Sequence, residues 1–401
     1  MNHRANTGPA VDPRLDAVRG TQKAVRLNAR RVAGIADNPG CRLRTVADLA
    51  RISLEKTSES AGVPAPYGQS PFAITRGNAF ERRLKRDTNY DMLFAALTQA
   101  IGLPPERYSV EDLGEDGPIG LAAVQRRAYT TVQKLRWILS GDPDAPALLD
   151  HPVLTLVVAG ETVYVEPDAL ALVAVDGKFV LVEIKSFPSV DQVIDKAKAA
   201  AAARQVAVYV HALRQVVADL GHDPNVISTD AVLITPENTT TSKAVGSRLP
   251  TADRLIHLQR QLQRITSISN ILDELPSGFT LDPQAADLVG LDDDARQDAL
   301  ADKLRQVPSN YVPGCRSACG LGEFCHLEAV TAGNPVLIGP SVRDDLAGIR
   351  DLRQATRIAA GQPLPADTDA PADTSLALRR ARRIEDAARA RVAARQAGGV
   401  A

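Results

Sequence analysis

Three residues of opposite charge stand on two neighbouring apolar segments of this 401-residue chain. Asp168 follows Pro167 near the start of one segment, and Glu183 and Lys185 close the next. Carboxylate oxygens bind hard ions such as Mg²⁺ or Mn²⁺, and such an ion activates water and polarises a phosphoryl oxygen. A lysine beside them can neutralise charge that develops on a phosphate. The residue types therefore indicate a divalent-metal site for phosphoryl chemistry.

The segments that carry these residues predict a β-hairpin. Residues 162–175 and 178–185 are rich in β-branched and apolar side chains, and Asp176-Gly177 between them is a strong two-residue turn signal. Pairing of Val175 with Lys178 predicts the register of the whole hairpin.

In that register Asp168 lies opposite Lys185, and Leu170 lies opposite Glu183. Since side chains alternate along a strand, Asp168, Glu183 and Lys185 are expected on one face. An exposed cross-strand salt bridge, worth less than about 1 kcal/mol, is the alternative. It accounts for Asp168 and Lys185 but not for the additional Glu183, so the metal site is favoured.

Two flanking helices add polar residues. Gln205 and Tyr209 stand four apart in a predicted helix over 190–220 that directly follows Lys185, so they share one face. Upstream, Gly77 permits close backbone approach near the start of another helix, and Glu81 follows it. Taken alone, these residues are typical of an ordinary amphipathic helix and of an acid near a helix N-terminus.

Together, Pro-Asp, Glu-x-Lys and Gln-x-x-x-Tyr resemble the PD-(D/E)xK nucleases of the RecB type in order and spacing, over about 75–220. The resemblance implies an α/β fold with an αβββαβ core like that of restriction endonucleases. It also implies metal ligation by Asp168, Glu183 and the main-chain carbonyl of Ile184, with Lys185 catalytic.

The same resemblance gives roles to the helix residues. Gln205 and Tyr209 would contact the DNA strand or support the site. Many RecB-type members carry a metal-ligating histidine four residues after the first-helix glycine, and Glu81 stands there in this chain. A glutamate serves an oxygen-preferring ion equally well.

Four cysteines indicate a second kind of centre. Cys315, Cys319 and Cys325 lie in a glycine-rich segment, 311–326, predicted as a loop, and Cys41 lies far upstream. Converging thiolates bind iron or zinc, whereas buried free thiols are the plain alternative.

The chain has one cysteine before the predicted nuclease core and three after it. This arrangement resembles that of iron–sulfur RecB-type nucleases. These include the four-cysteine CRISPR-associated exonucleases and the AddB-type helicase–nuclease subunits. The resemblance implies a [4Fe–4S] cluster that ties the chain's ends together. The C-x3-C spacing departs from the family's usual C-x2-C, which keeps Zn²⁺ on the four cysteines as an alternative.

Composition narrows the class of protein. With 44% hydrophobic and 24% charged residues, the chain has ample material for a globular core. The formal net charge is −1, so any nucleic-acid binding must come from local basic patches. The chain has no apolar run near the roughly 18 residues that cross a bilayer and no secretory leader, so a cytoplasmic protein without a membrane partner is expected.

Four consecutive regions are predicted. They are a basic segment 1–74, a nuclease core 75–240, a helical region 241–345 with the cysteine loop, and a helix, linker and Arg/Ala-rich tail 346–401. Within them we expect helices over 75–100, 121–139 and 251–275, and further strands from Val153 and from Ala231. From Ser375 onward, seven arginines face two acids. That tail is typical of a solvated helix, or alternatively of an arm for nucleic acid or a partner.

These patterns favour a metal-dependent DNA nuclease. The resemblance adds that it acts as an exonuclease on single-stranded ends. A non-catalytic or weakly catalytic DNA-binding subunit of a helicase–nuclease or CRISPR-adaptation complex is the alternative. A regulator that senses iron or redox state through the cysteines is a third class.

Overall fold

A computed structural model describes residues 12–65, 71–102, 108–114, 120–175, 178–190, 193–238, 243–265, 267–362 and 371–397. The helices are α1 Pro13–Arg19, α2 Ala29–Asp37, α3 Arg42–Leu49, α4 Leu54–Ser60, α5 Pro71–Arg82, α6 Asp91–Ile101, α7 Leu121–Leu139, α8 Lys196–Asp219, α9 Ala252–Leu262, α10 Ile268–Asp273, α11 Asp293–Arg305, α12 Cys315–Ala318, α13 Gly322–Thr331, α14 Pro335–Ile338, α15 Pro340–Asp345, α16 Leu352–Ala359 and α17 Ala372–Ala397. A π-helical turn spans Arg83–Asp87, and a 3₁₀ turn spans Pro224–Val226. The strands are β1 Val110–Asp112, β2 Leu148–Asp150, β3 Leu154–Val158, β4 Glu161–Val165, β5 Ala169–Val175, β6 Lys178–Ile184, β7 Asp230–Pro236 and β8 Ala244–Pro250.

Six strands form a mixed sheet in the order β1-β2-β5-β6-β7-β8, and β3 and β4 form a separate antiparallel pair. Within the sheet, β1–β2 and β6–β7 are parallel pairs, whereas β2–β5, β5–β6 and β7–β8 are antiparallel. A parallel pair needs a long crossover, and the chain from β6 to β7 passes through α8. The prediction of a mixed α/β protein is confirmed.

One face of the sheet packs in an apolar cluster with α5 and α6. Val182 and Ile184 of β6 lie in this cluster with Leu93 and Leu97 of α6. Alternation along β6 therefore turns Glu183, between them, toward the opposite face. The opposite face is apolar as well, since Leu170 and Leu181 are fully buried there, and Glu183 is a buried acid among them.

One strand prediction is confirmed with an unexpected partner, one is corrected, and one strand was not predicted. The predicted strand from Val153 forms β3 outside the main sheet, where it pairs with β4. The predicted strand over 162–175 is divided into β4 and β5 at Glu166-Pro167-Asp168, because proline has no N–H to donate and restricts the residue before it. The sheet strand that precedes β5 is β2, whose three residues are too few to show alternation.

The predicted helix over 75–100 is also interrupted. Asn89 and Tyr90 adopt positive φ angles of 47° and 66° between the π-helical turn and α6. The Tyr90 hydroxyl donates to Asp150 Oδ2 at 2.7 Å, which fixes this turn against the end of β2. The helix over 121–139 is confirmed as α7.

Two other helix predictions change at their ends. The helix expected from 190 begins at Lys196, where the Asp195 side chain accepts a hydrogen bond from the Lys198 N–H at 2.9 Å and caps it. The region 251–275 forms two helices, α9 and α10. The predicted turn at Asp176-Gly177 and most of the predicted linker around 363–370 lie outside the described residues.

By its contacts the chain divides into two units that do not follow the four consecutive regions predicted. The sheet unit comprises residues 1–53, 68–290 and 302–308, and the helical unit comprises 54–67, 291–301 and 309–401. Within the described part, no helix combines the length and the apolar character needed to cross a bilayer.

Candidate active site

The hairpin β5–β6 carries the predicted metal ligands in a register that differs from the predicted one. Val175 pairs with Lys178 as expected, but a bulge lies between Ala171 and Val175. Beyond it the partners are Ala169↔Val182, Leu170↔Leu181 and Ala171↔Val180.

The bulge moves the register by two residues. The predicted pairings of Asp168 with Lys185 and of Leu170 with Glu183 are therefore wrong, and the observed register continues to Asp168 beside Glu183. Because a strand has a period of two, a shift of two keeps each side chain on its face. Asp168, Glu183 and Lys185 thus remain together, and we call them the Glu183 group.

Hydrogen bonds and an ion pair hold the Glu183 group. Asp168 Oδ2 accepts the Ile184 main-chain N–H at 2.6 Å. Lys185 Nζ forms an ion pair with Glu183 Oε1. Glu183 is completely buried, and its Oε2 accepts no hydrogen bond from the residues that the structure describes. One buried carboxylate oxygen is thus left without a donor.

Burial controls the ionisation of this group. It raises the pKa of Glu183 to about 8, although the Lys185 ammonium acts in the opposite direction. It also raises the pKa of Asp168. Burial alone would lower the pKa of Lys185, but the two carboxylates raise it above its usual value. The buried Glu183 carboxyl and the partly buried Asp168 carboxyl thus interact with one ammonium, and a further cation would be stabilised there.

Gln205 and Tyr209 lie together on α8, as predicted. Gln205 Nε2 donates to Tyr209 Oη at 2.8 Å. The Tyr209 ring is only 4% exposed. Burial, and then the charges of Glu183 and Asp168, raise the pKa of Tyr209 well above its usual value. Since a buried ring presents no face to a base, Tyr209 is better suited to support the site than to contact DNA.

Glu81 belongs to a second cluster, which we call the Lys85 group: Glu81, Lys85, Asp150 and His151. Lys85 is 2% exposed, and its Nζ lies 2.6 Å from both Glu81 Oε1 and Asp150 Oδ1. The same ammonium donates to the main-chain oxygen of Asp168 at 3.0 Å. One buried lysine therefore joins α5, the end of β2 and the start of β5.

His151 completes the Lys85 group. Its Nε2 lies 3.1 Å from Glu81 Oε1, and its Nδ1 lies 3.3 Å from Asp150 Oδ1 and 3.5 Å from Asp112 Oδ1. Asp112, Asp150 and His151 offer ligand atoms within 4.8 Å of one another. However, Lys85 already supplies a cation to Asp150, so a metal is not needed to balance its charge.

The Lys85 group ionises differently from the Glu183 group. Burial alone would raise the pKa of Glu81, but the hydrogen bond with His151 and the charge of Lys85 lower it to about 2. Burial likewise acts to lower the pKa of His151, but its bond to Glu81 raises it. Glu81 in turn contributes to raising the pKa values of Asp168 and Glu183, which shows that the two groups interact.

Sequence reasoning missed Lys85, Asp150 and His151. One available signal was the four-residue spacing of Glu81 and Lys85, which pairs opposite charges on a helix. A weaker signal was the pair Asp150-His151, which follows two leucines at the end of a very short strand. Neither signal shows that the two segments meet.

Glu166, directly before Pro167, was also missed as a structural anchor. Arg127 of α7 binds its carboxylate through two hydrogen bonds of 2.7 and 2.9 Å, and Arg26 adds a third at 2.7 Å. Paired guanidinium–carboxylate bonds of this kind fix orientation as well as distance. They hold the backbone that leads into Asp168.

The close approach expected at Gly77 is not observed. A Cβ atom at this position would lie 3.7 Å from Ser186 Oγ, an ordinary contact. Glycine inside a helix costs up to about 1 kcal/mol relative to alanine, and packing here does not require it. Its effect is to leave space beside Ser186, the residue that follows Lys185.

The predicted cysteine loop is instead largely helical. Cys315 begins α12, Cys319 follows that helix, and Cys325 lies within α13. A Cβ atom on Gly322 would lie 2.3 Å from the main-chain oxygen of Cys315, so only glycine permits this approach. The glycine keeps the segment compact.

All four thiols are free of disulfides. Cys41 belongs to the sheet unit and the other three cysteines to the helical unit. The donor set fits an iron–sulfur cluster or a zinc ion in its chemistry. The cluster itself stays a prediction.

Comparisons with family models, with curated proteins and with solved structures found no match. The function is therefore argued from the geometry of this chain.

Proposed function

We propose that the protein is a metal-dependent DNA nuclease of the PD-(D/E)xK type that hydrolyses phosphodiester bonds, with single-stranded ends as its substrate. The observation that carries the proposal is the Glu183 carboxylate. It is completely buried, one of its oxygens has no hydrogen-bond donor among the described residues, and it shares a single ammonium with Asp168. A protein keeps such a site at a cost in stability, which a bound cation would offset.

The topology supports the same proposal. In chain order, α5 and α6 are followed by β2, β5 and β6, then by α8 and β7, and these four strands are neighbours in the sheet. This order supports the αβββαβ core that the resemblance implies, with β1, α7 and the β3–β4 hairpin as insertions. Asp168 immediately precedes the second of these strands, and Glu183 and Lys185 stand at the end of the third.

The residues would divide the work as follows. Asp168, Glu183, the carbonyl of Ile184 and Glu81 would hold a Mg²⁺ or Mn²⁺ ion, which suits oxygen donors. When bound, the ion would make water more acidic and polarise a phosphoryl oxygen. Lys185 would donate a hydrogen bond to the phosphate oxygen on which negative charge develops. Gln205 and Tyr209 would support the site from α8. The Lys85 group would fix the positions of Glu81 and of the Asp168 main chain.

The test is digestion of end-labelled single-stranded and double-stranded DNA by the purified chain with EDTA, Mg²⁺ or Mn²⁺. Cleavage that requires the metal and proceeds from single-stranded ends is expected. Asp168→Asn keeps the size and the hydrogen bond to Ile184 but removes the charge, and it should abolish cleavage. Asp230→Asn, a similar change at a partly exposed strand residue, serves as the control.

Two outcomes contradict the proposal in different ways. DNA binding with no cleavage under any metal would favour the non-catalytic DNA-binding subunit of a helicase–nuclease or CRISPR-adaptation complex. Full cleavage by Asp168→Asn, after removal of contaminating nuclease, would exclude this site as the catalytic one.

The four cysteines are proposed to hold a [4Fe–4S] cluster. Anaerobically purified protein should then contain about four irons per chain and lose them in Cys41→Ala and in Cys325→Ala. One zinc per chain instead would assign the alternative metal. Metal-free protein with wild-type stability in both variants would contradict either centre.

A further inference from the structure

The long C-terminal helix α17 is distinct from the rest of the helical unit. It spans 26 residues, which corresponds to a length of about 39 Å. Near its start, Leu378 packs against a small apolar cluster that includes Ile349 and Ile358. From Arg379 to Val392 every side chain is exposed. The helix is therefore anchored at its first turns and presents the following turns to solvent.

Two ion pairs neutralise one side of this exposed stretch. Arg382 lies 3.0 Å from Asp386, and Arg389 lies 2.6 Å from Glu385, each pair at the four-residue spacing that joins neighbours on a helix. Glu385 and Asp386 are the two acids between Arg379 and Arg395. Both are thus used by arginines of the same side.

The other side keeps its charge. At about 100° per residue, Arg379, Arg380, Arg383 and Arg391 fall within an arc of about 120°, and the four ion-paired residues fall within a separate arc of about 100° beside it. Among the residues that the structure describes, none of these four arginines has a carboxylate partner. They extend over about 18 Å along the helix. The result is a continuous cationic strip on an exposed helix.

The chemistry of the strip fits a polyanion with regularly spaced phosphates. All seven basic residues of α17 are arginines, whose planar guanidinium groups bind phosphate oxygens in pairs. The larger apolar residues beyond the anchored turns, Ile384 and Val392, stand eight residues apart among alanines. They form no continuous apolar face of the kind that enters a bilayer or a protein groove.

We propose that α17 is a nucleic-acid-binding arm that contacts the phosphate backbone through Arg379, Arg380, Arg383 and Arg391. The proposal deepens the function proposed above and rests on DNA as the substrate. The arm increases affinity for long strands and takes no part in the chemical step.

The test measures binding of fluorescent single-stranded DNA to the full chain by anisotropy, without metal, at several salt concentrations. Two double variants are compared: Arg379→Gln with Arg383→Gln, and Arg382→Gln with Arg389→Gln. Both remove two positive charges from the same helix, and glutamine preserves helix propensity. Only the first pair belongs to the strip.

The strip variant should bind at least about tenfold more weakly, and its affinity should depend less on salt, with the log–log slope reduced by about 1.4 for two lost phosphate contacts. The ion-pair variant should change affinity less than about twofold. Equal effects of the two variants would show that only net charge matters and would overturn the arm. The strip variant is also tested for binding to vesicles of anionic phospholipid. If it loses vesicle binding but keeps its affinity for DNA, the strip is a membrane-binding surface and the proposed arm is overturned.

The outcomes separate this proposal from the nuclease proposal. Strip-dependent binding without cleavage by the wild-type chain supports the arm and contradicts the nuclease. Metal-dependent cleavage with no effect of the strip variant contradicts the arm and leaves the nuclease standing. Cleavage of a very short oligonucleotide at saturation should be unchanged in the strip variant, since the arm lies outside the chemistry.

Discussion

The Glu183 group and the Lys85 group meet at the start of β5 and balance their charges in opposite ways. In the Lys85 group, one buried ammonium lies 2.6 Å from each of two carboxylates, His151 lies 3.1 and 3.3 Å from them as a second partner, and the pKa of Glu81 falls to about 2. In the Glu183 group, one ammonium interacts with the buried Glu183 carboxyl and the partly buried Asp168 carboxyl, and the pKa of Glu183 rises to about 8.

This difference shows how two clusters of similar composition serve different purposes. A carboxylate that is satisfied internally gives a rigid support, whereas one that is short of positive charge has affinity for a cation from outside. The Lys85 group therefore has the charge balance of a structural joint, and under the proposed function a divalent cation would complete the charge balance of the Glu183 group. Five predictions follow from this contrast.

The largest effect is expected on catalysis from Lys185→Met. Under the proposed function the Lys185 ammonium would face the reacting phosphate, and its loss should reduce the rate of DNA cleavage by about 10²–10³-fold or more. Stability should change little, because Glu183 can remain protonated once its partner is gone. Lys243→Met, which breaks the exposed ion pair with Glu237 at 2.8 Å, is the matched control and should cleave at the wild-type rate. Equal rates in both variants would remove Lys185 from the site.

The second effect is on stability, from Lys85→Met. This change leaves Asp150 and Glu81 without their ammonium, and removal of one partner from a buried ion pair costs about 3–5 kcal/mol. Urea denaturation should therefore show a much larger loss for Lys85→Met than for Lys185→Met. The reverse order would contradict the assignment of the two groups.

The third effect is the dependence of stability on pH in EDTA. The folded state keeps a proton on Glu183 up to about pH 8, whereas the unfolded chain loses it near the ordinary glutamate pKa of 4.5. The folded state binds more protons in that window, so stability should fall as pH rises from about 4.5 to 8, by on the order of a few kcal/mol. Glu183→Gln should flatten this fall, and Mn²⁺ should stabilise the wild type more at pH 8 than at pH 6.

Glu81 changes the stability with pH in the opposite direction to Glu183. Its folded pKa of about 2 lies below its ordinary value of 4.5. Its contribution is therefore present above pH 4.5 and is lost as pH falls toward 2. Glu81→Gln should therefore reduce the loss of stability between pH 4.5 and 2. The region between pH 5 and 8 should also shift, because Glu81 raises the pKa values of His151 and Glu183. A change confined to the range between pH 5 and 8 would contradict this assignment, because the loss of stability at acid pH would then not come from Glu81.

The smallest effect is expected from Tyr209→Phe. The change removes the hydroxyl that accepts from Gln205, at a cost of about 0.5–1.5 kcal/mol in unfolding free energy. Affinity for single-stranded DNA should be unchanged, because the ring is buried. Weaker DNA binding at unchanged stability would instead place the Tyr209 hydroxyl in contact with the strand.

For the hairpin β5–β6, the predicted face of each side chain was correct, but the predicted cross-strand pairs were wrong. Asp168, Glu183 and Lys185 were assigned to one face from alternation alone, and the bulge between Ala171 and Val175 left that assignment intact because it moved the register by two. A bulge of one residue would have turned Asp168 away. Local sequence contains the period of a strand, but the position of a bulge depends on what packs against it.

The sequence by itself determined the mixed α/β class, the candidate residues at the ends of β5 and β6, and the spacing of Gln205 and Tyr209 on one helix, because periodicity and turn chemistry are local properties. Only the tertiary structure decided that Lys85 meets Asp150 and that His151 meets Glu81. These contacts join segments 65 and 70 residues apart, through a positive-φ turn and a three-residue strand. Neither element has a pattern long enough to predict, since its conformation is selected by the buried charges it brings together.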